Sequence, residues 1–293
     1  MKFTYEVEQD NIKIKTFLAQ KGISKRLLAK IKFAGGLILV NGQEEIVTRL
    51  VKSGDTVEIT IPSESPSEKL LAQKYPLDII FEDEHFLVIN KPAGFASVTS
   101  SVHPNSTISN FVQDYLIRQN YENKKVHIVT RLDRDTSGLM MFAKHGFAHS
   151  HMDKMLQDRT IEKKYYALVE SSDMLEKEGE IILPIDREEG SIIKRCVAES
   201  GKQAHTSYKL LEKKDGTSLL DIKLHTGRTH QIRVHFSHLG APLLGDDLYG
   251  GSINKIQRQA LHCHSLEFIH PFTNEKIKLE ANLPEDMRNL INE

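Results

Sequence analysis

Apolar positions early in the chain follow the helical period and then the strand period. Ile14, Phe17 and Leu18 stand at i, i+3 and i+4, one helical face, and Gly22 ends the run. Ser24 reads as the N-cap of a second helix that carries Leu27, Leu28 and Ile31 on one side and stops at Gly35-Gly36. Leu37-Ile38-Leu39-Val40 is a β run, Asn41-Gly42 a tight-turn pair, and Val57, Ile59 and Ile61 alternate behind Lys52-Ser53-Gly54-Asp55. The pattern predicts two helices packed on a small sheet over residues 1–62. The stretch Ser63-Glu64-Ser65-Pro66-Ser67-Glu68 is polar and without period, so 63–75 is read as a linker and 76–293 as a second, larger domain.

The larger part opens with a strand-turn-strand pattern from Ile79 to Lys91, closed by Pro92 and Gly94, and Ile108, Phe111 and Leu116 predict an amphipathic helix from about Ser106 to Tyr115. A charged loop, Arg131-Leu132-Asp133-Arg134-Asp135, then falls between the apolar runs at Ile128-Val129 and Leu139–Ala143. Charges in such a place are unfavourable unless paired or functional. Arg131 and Asp133 alternate on an extended segment and point to one side. The second dense polar stretch is Thr226-Gly227-Arg228-Thr229-His230-Gln231-Ile232-Arg233, and an arginine set against an aspartate would keep a carboxylate ionised. A salt-bridged structural loop is the competing reading. His149 and His151 are read as surface residues after a strand. His262 and His264 share a strand face, but with no carboxylate at ligand spacing a metal site is not expected.

Composition changes this picture in one respect. With 39 Lys+Arg and 40 Asp+Glu in 293 residues the net charge of −1 argues against a uniformly basic surface. Yet Lys13, Lys15, Lys21, Lys25, Arg26, Lys30 and Lys32 fall between Asn11 and Gln43 with no acid among them, so the helix pair is a basic patch suited to phosphates. Apolar runs are too short to span a bilayer, and no signal-peptide pattern opens the chain. The cytoplasm is therefore expected, and two cysteines exclude a disulfide framework.

Two resemblances join these observations. Gly22-Ile23-Ser24-Lys25-Arg26, Gly36-Leu37-Ile38-Leu39-Val40-Asn41-Gly42 and Lys52-Ser53-Gly54-Asp55-Thr56-Val57 resemble the small RNA-binding domain named after ribosomal protein S-four, which implies that Lys25 and Arg26 meet RNA. Arg131-Leu132-Asp133-Arg134-Asp135-Thr136-Ser137-Gly138-Leu139, Lys163-Lys164-Tyr165-Tyr166, Gly201–Tyr208, the 226–233 run, Leu239–Asp246, Tyr249-Gly250 and Arg258–His262 resemble, in order, the RluA-type pseudouridine synthases over about residues 76 to 290. The resemblance implies an α+β protein: a catalytic domain on a mixed, mostly antiparallel β-sheet with flanking helices, plus the small α/β RNA-binding domain.

By the family pattern Asp133 is the essential carboxylate, nucleophile or base on the sugar. Arg233 is its partner, and Tyr165 packs on the target base, where stacking is worth roughly 1–3 kcal/mol. Extruding that base from its stack costs a few kcal/mol. Arg131 props the vacated space. Leu261 lines the uracil pocket or is plain core, and Arg228 binds phosphate or makes a structural hydrogen bond. No metal, cofactor or obligate protein partner is implied. The partner is RNA, large-subunit ribosomal RNA first and transfer RNA second, and no membrane. Thr130 stands where the family usually has His, and residues 95–102 lengthen a loop before His103-Pro104. Two other readings compete: a glycoside hydrolase using Asp133 with Asp135, and a catalytically inactive RNA-binding ribosome-assembly factor, which predicts RNA binding unchanged by Asp133→Ala. Deleting residues 1–62 is expected to weaken RNA binding more than it affects folding of the rest.

Overall fold

Residues 1–170, 175–214 and 216–292 are described by the structure, a computed structural model. The N-terminal part holds β1 (Lys2–Glu6), β2 (Ile12–Lys13), α1 (Ile14–Gln20), α2 (Lys25–Phe33), β3 (Leu37–Val40), β4 (Gln43–Glu44), β5 (Leu50–Val51) and β6 (Thr56–Thr60). The helix pair lies where the apolar spacing places it. Ser24 caps α2 by accepting a hydrogen bond from the Leu27 N–H, 3.1 Å. Asn41 and Gly42 take φ of 51° and 80°, the left-handed pair that a two-residue hairpin between β3 and β4 requires. The sheet order is β1-β6-β3-β4, all antiparallel. β1 adds an edge strand that the apolar pattern does not reveal, because Lys2, Thr4 and Glu6 face water and only Phe3 and Tyr5 turn inward.

The rest of the chain comprises β7 (Ile79–Glu82), β8 (Phe86–Lys91), α3 (Ile108–Arg118), β9 (His127–Ile128), β10 (Ser137–Ala143), α4 (Gly146–Gln157), β11 (Glu162–Glu170), β12 (Glu178–Ile182), β13 (Ile185–Arg187), β14 (Arg195–Val197), β15 (His205–Lys214), β16 (Thr217–Leu224), α5 (Gln231–His238), β17 (Leu261–Ile269), β18 (Lys276–Glu280) and α6 (Glu285–Asn292). A large sheet runs β12-β15-β16-β11-β17-β10-β8-β7, with β18 beside β17 and β9 beside β10. Every pairing in it is antiparallel except β10 with β17, so the mixed, mostly antiparallel α+β architecture expected from the sequence is what forms. β10 is buried along its whole length, which is why its run Leu139–Ala143 is apolar without alternation. Gly138 makes the parallel contact feasible: its φ is +110°, and a β-carbon there would collide with the backbone of Cys263 on β17.

The segment between the two sheets has no helix or strand, yet it is no free tether. Glu64 takes Lys30 Nζ of α2 at 3.0 Å, His127 Nε2 at 2.9 Å and the Gly146 N–H of α4 at 2.8 Å. Burial alone would raise this carboxyl, but those three partners outweigh it and hold it well below the usual carboxylate range. Beside it Phe3 of β1 packs on Phe147 and Phe272, ring centroids 5.0 and 5.6 Å apart, and His85 Nδ1 lies 3.0 Å from His145 Nε2. Phe147 belongs to the core of the N-terminal part although it sits on α4.

α4 corrects one expectation. His149 and His151 are not surface residues after a strand but half-buried on this helix: His149 Nε2 is 3.0 Å from the Ile128 carbonyl, and the His151 ring packs on Phe147 at 4.7 Å. The histidines mask a face whose buried members are Phe147, Ala148 and Met152. His262 and His264 are likewise engaged separately, His262 Nδ1 with Ser137 Oγ and His264 Nε2 with Asp221, both at 2.9 Å. No helix among the described residues is long and apolar enough to cross a membrane.

Candidate active site

The charged loop between β9 and β10 is braced from several sides. Leu132 is buried and clamped through its backbone by Ser97, whose Oγ donates to the Leu132 carbonyl (2.6 Å) and accepts its N–H (3.1 Å). Ser97 lies in the lengthened 95–102 loop, so that stretch supports the charged loop directly. The Arg134 carbonyl accepts from Gly94 N–H (3.0 Å) and from Lys91 Nζ (2.8 Å), which also donates to the Pro92 carbonyl. Lys91 is wholly buried, and burial pushes its pKa down to about 7 against the pull of Asp135 and Asp133. Arg258 Nη1 holds the Asp135 carbonyl at 3.2 Å, and Gln259 Nε2 the Thr136 hydroxyl at 3.1 Å. Thr130 accepts the Met141 N–H on its Oγ1 at 2.9 Å, tying the loop's start to β10.

Asp133 then meets α5. Arg233 Nη1 donates to Asp133 Oδ2 at 3.2 Å, while Arg233 Nε and Nη2 form a two-pronged pair with Asp246, both at 2.7 Å. The two carboxylates differ in access: the Asp246 side chain is 0% exposed and the Asp133 side chain 29%. Asp246 therefore anchors the guanidinium, and Asp133 is the carboxylate a substrate can reach. The Tyr249 ring lies 4.9 Å from the guanidinium carbon, a cation–π contact. Gly245 is required just before Asp246, because at φ +73° a β-carbon would run into the Arg258 carbonyl.

Of the other sequence candidates, Tyr165 comes to this site and most of its surface is covered. It is 5% exposed, and burial first, then Cys263 and Asp133, push its hydroxyl far above the ordinary range, so it remains a neutral phenol. Leu261 is packed in the main core at the start of β17, with its carbonyl 3.5 Å from Arg258 Nη1. Arg228 donates through Nε to the Gln203 carbonyl at 3.0 Å, the structural hydrogen bond. Arg131 is exposed beside Asp133, and Lys25 and Arg26 are exposed at the start of α2. Asp135 is held by Arg134 at the rim, Nη2 to Oδ2 2.8 Å, rather than by Arg233.

Sequence reasoning missed Asp246, Lys91, Ser97, His230 and Tyr249 as parts of one site. Asp246, His230 and Tyr249 lie in runs that carry the resemblance, and Asp246 had a further signal: an arginine on the buried face of a helix needs a permanent counter-ion, and the Gly245-Asp246 pair offers one.

Comparison with known proteins bears on this geometry. Residues 85–238 match the model of the RNA pseudouridylate synthase family. An uncharacterised RNA pseudouridine synthase of Bacillus subtilis is 45% identical over 278 residues, 95% of this chain and 98% of the relative. The ribosomal large subunit pseudouridine synthase D of Pseudomonas aeruginosa is 37% identical over 265 residues, 86% of this chain and 82% of the relative. Among solved structures, human RNA pseudouridylate synthase domain containing 4 shares the fold with a TM-score of 0.60 at 22% identity, over 73% of this chain and 91% of that one.

Proposed function

The chain belongs to the RNA pseudouridylate synthase family, and from that premise we propose that it isomerises selected uridines of large-subunit ribosomal RNA at the pocket around Asp133. The observation that carries the assignment of the site is the shared arginine: Arg233 is fixed by a sealed Asp246 and donates through Nη1 to Asp133, the one of its two carboxylate partners open to solvent. The choice of RNA is supported by relatives named as large-subunit enzymes, including those of Pseudomonas aeruginosa and Xanthomonas campestris.

The reaction breaks the bond from ribose C1′ to uracil N1, turns the ring and joins C5 to C1′. The C5 hydrogen leaves as a proton and N1 gains one, so nothing is oxidised or reduced. Asp133, kept beside a permanent cation, acts as nucleophile at C1′ or as base on the sugar. Tyr165, a neutral phenol, offers its ring to the base and its O–H as a donor. Arg131, exposed beside Asp133, enters the gap that a flipped nucleotide leaves, and Arg228, tied through Nε to the Gln203 carbonyl, presents the rest of its guanidinium to the backbone. Leu261 closes the floor beneath the uracil. Residues 1–62 act as a separate RNA-binding domain, with Lys25 and Arg26 as phosphate contacts. Cations at a helix N-terminus oppose the helix dipole, an arrangement that an anion between them relieves.

The test is pseudouridine mapping of total RNA from a strain lacking the gene, complemented with wild type or Asp133→Asn, together with the purified protein on unmodified ribosomal and transfer RNA. Sites lost in the deletion and restored by wild type alone are expected. Purified wild type that leaves every uridine unaltered sinks the assignment.

A further inference from the structure

His230 does none of the work assigned so far, yet it is the residue with the least ordinary backbone in the site. It precedes α5 with φ 57° and ψ 21°, left-handed, where the residue before a helix is normally extended. Glycine adopts this conformation freely and other L-residues do so at a cost, and here the turn aims the imidazole at two site residues. Its imidazole is mostly buried, 11% exposed, and spans two partners: Nδ1 lies 2.9 Å from the Tyr249 hydroxyl and Nε2 3.8 Å from Asp133 Oδ2.

We propose that His230, oriented by Tyr249, is a positioning residue that fixes the Asp133 carboxylate through Oδ2 and leaves Oδ1 as the reacting oxygen. The inference rests on Asp133 being the reacting carboxylate. Arg233 Nη1 and His230 Nε2 both approach Oδ2, and among the described residues Oδ1 has no hydrogen-bond partner. The proton on the imidazole follows from its other neighbour. The Tyr249 hydroxyl accepts the Arg195 N–H at 2.9 Å, and burial, pushing it up to about 12, keeps its own proton in place. With the Tyr249 O–H as hydrogen-bond donor to Nδ1, the imidazole carries its own N–H on Nε2, facing Asp133. The opposite tautomer would set a lone pair against a carboxylate. Burial also lowers the imidazole's pKa, with Asp133 and Asp246 opposing and Arg233 and Arg195 reinforcing the shift, so the ring works as a neutral donor. At 3.8 Å the contact is electrostatic rather than a hydrogen bond, and catalytic contacts that are long in a free enzyme often shorten once substrate is bound. The same tyrosine lies against the Arg233 guanidinium, so one side chain sets both donors to Asp133.

The experiment uses the full chain and an unmodified large-subunit ribosomal RNA transcript, reading pseudouridine formed as kcat and KM, with Asp133→Asn alongside. His230→Gly keeps the left-handed backbone and removes the donor. Its kcat is expected to fall about ten- to a hundredfold, the scale of one hydrogen bond to a charged group, with KM within about twofold and the melting midpoint within about 3 °C of wild type. Tyr249→Phe is expected to slow the wild type more than it slows His230→Gly, because the two act in series. An inactive Asp133→Asn beside a His230→Gly with wild-type kcat, or with a loss confined to KM, overturns the positioning role alone. An Asp133→Asn as active as wild type overturns the underlying assignment and the positioning role with it.

Discussion

Asp133 and Asp246 share one arginine on unequal terms. Removing one partner from a sealed pair strands a buried charge, whereas an open carboxylate near water loses little. Asp246→Asn should therefore cost about 3–5 kcal/mol of folding stability, and Asp133→Asn about 1 kcal/mol or less. Urea midpoints compare them directly, and equal losses would contradict the division into a sealed anchor and an open carboxylate. The same asymmetry explains what could be read beforehand. Asp133 and Arg233 lie inside dense polar runs that no core would tolerate without reason, so their types and settings point to each other. Lys91 and Ser97 act on backbone carbonyls, and a carbonyl leaves no trace in the sequence of its partner. His230 was visible as a member of a motif, but its role depends on a left-handed φ and on Tyr249, neither of which has a local pattern.

Among the elements, those with an uninterrupted period were the legible ones: α1, α2, α3, the hairpin β7–β8 and the buried run of β10. α3 begins two residues later than expected, at Ile108 behind a Thr107 capping box with Asn110. α4 was hidden by its histidines and β1 by its polar face. The segment between the sheets was misleading in another way: polar composition describes a linker, but it equally describes residues that satisfy buried partners. Glu64 shows the difference. With its pKa depressed in the fold, its contribution is complete above the ordinary carboxylate value of 4.5 and is lost as pH falls through the lower folded value. Glu64→Gln should cost about 1–3 kcal/mol at pH 7, and the gap between variant and wild type should close as the pH drops below 4.5. Denaturation curves at pH 7 and at acid pH would check this, and a gap that persists unchanged into acid would refute it.

For the whole molecule, the mixed sheet carries the site, with Asp133 just before β10 and Tyr165 on β11 facing the side of Arg233 on α5, and the basic helix pair stands on the other side of a seam of aromatic and imidazole rings. That seam alters the expected result of removing residues 1–62. Phe147 and Phe272 are covered by Phe3, so truncation would uncover them and confound folding with RNA affinity. Point changes separate the two. Lys25→Ala with Arg26→Ala should raise KM for RNA and leave kcat within about twofold, while the salt dependence of binding loses a slope of about 1–2. A wild-type salt slope in the double variant would remove these side chains from the phosphate contact.

The fastening at Glu64 carries a further consequence for the choice of RNA. Two grips joined by a slack string accept targets of many shapes, whereas two grips on one stiff frame act as a caliper with a single setting. With residues 1–62 gripping RNA as proposed, a uridine would then be chosen by how far it lies from the stretch of backbone held at the other jaw, with the bases between them counting through the shape they give that span.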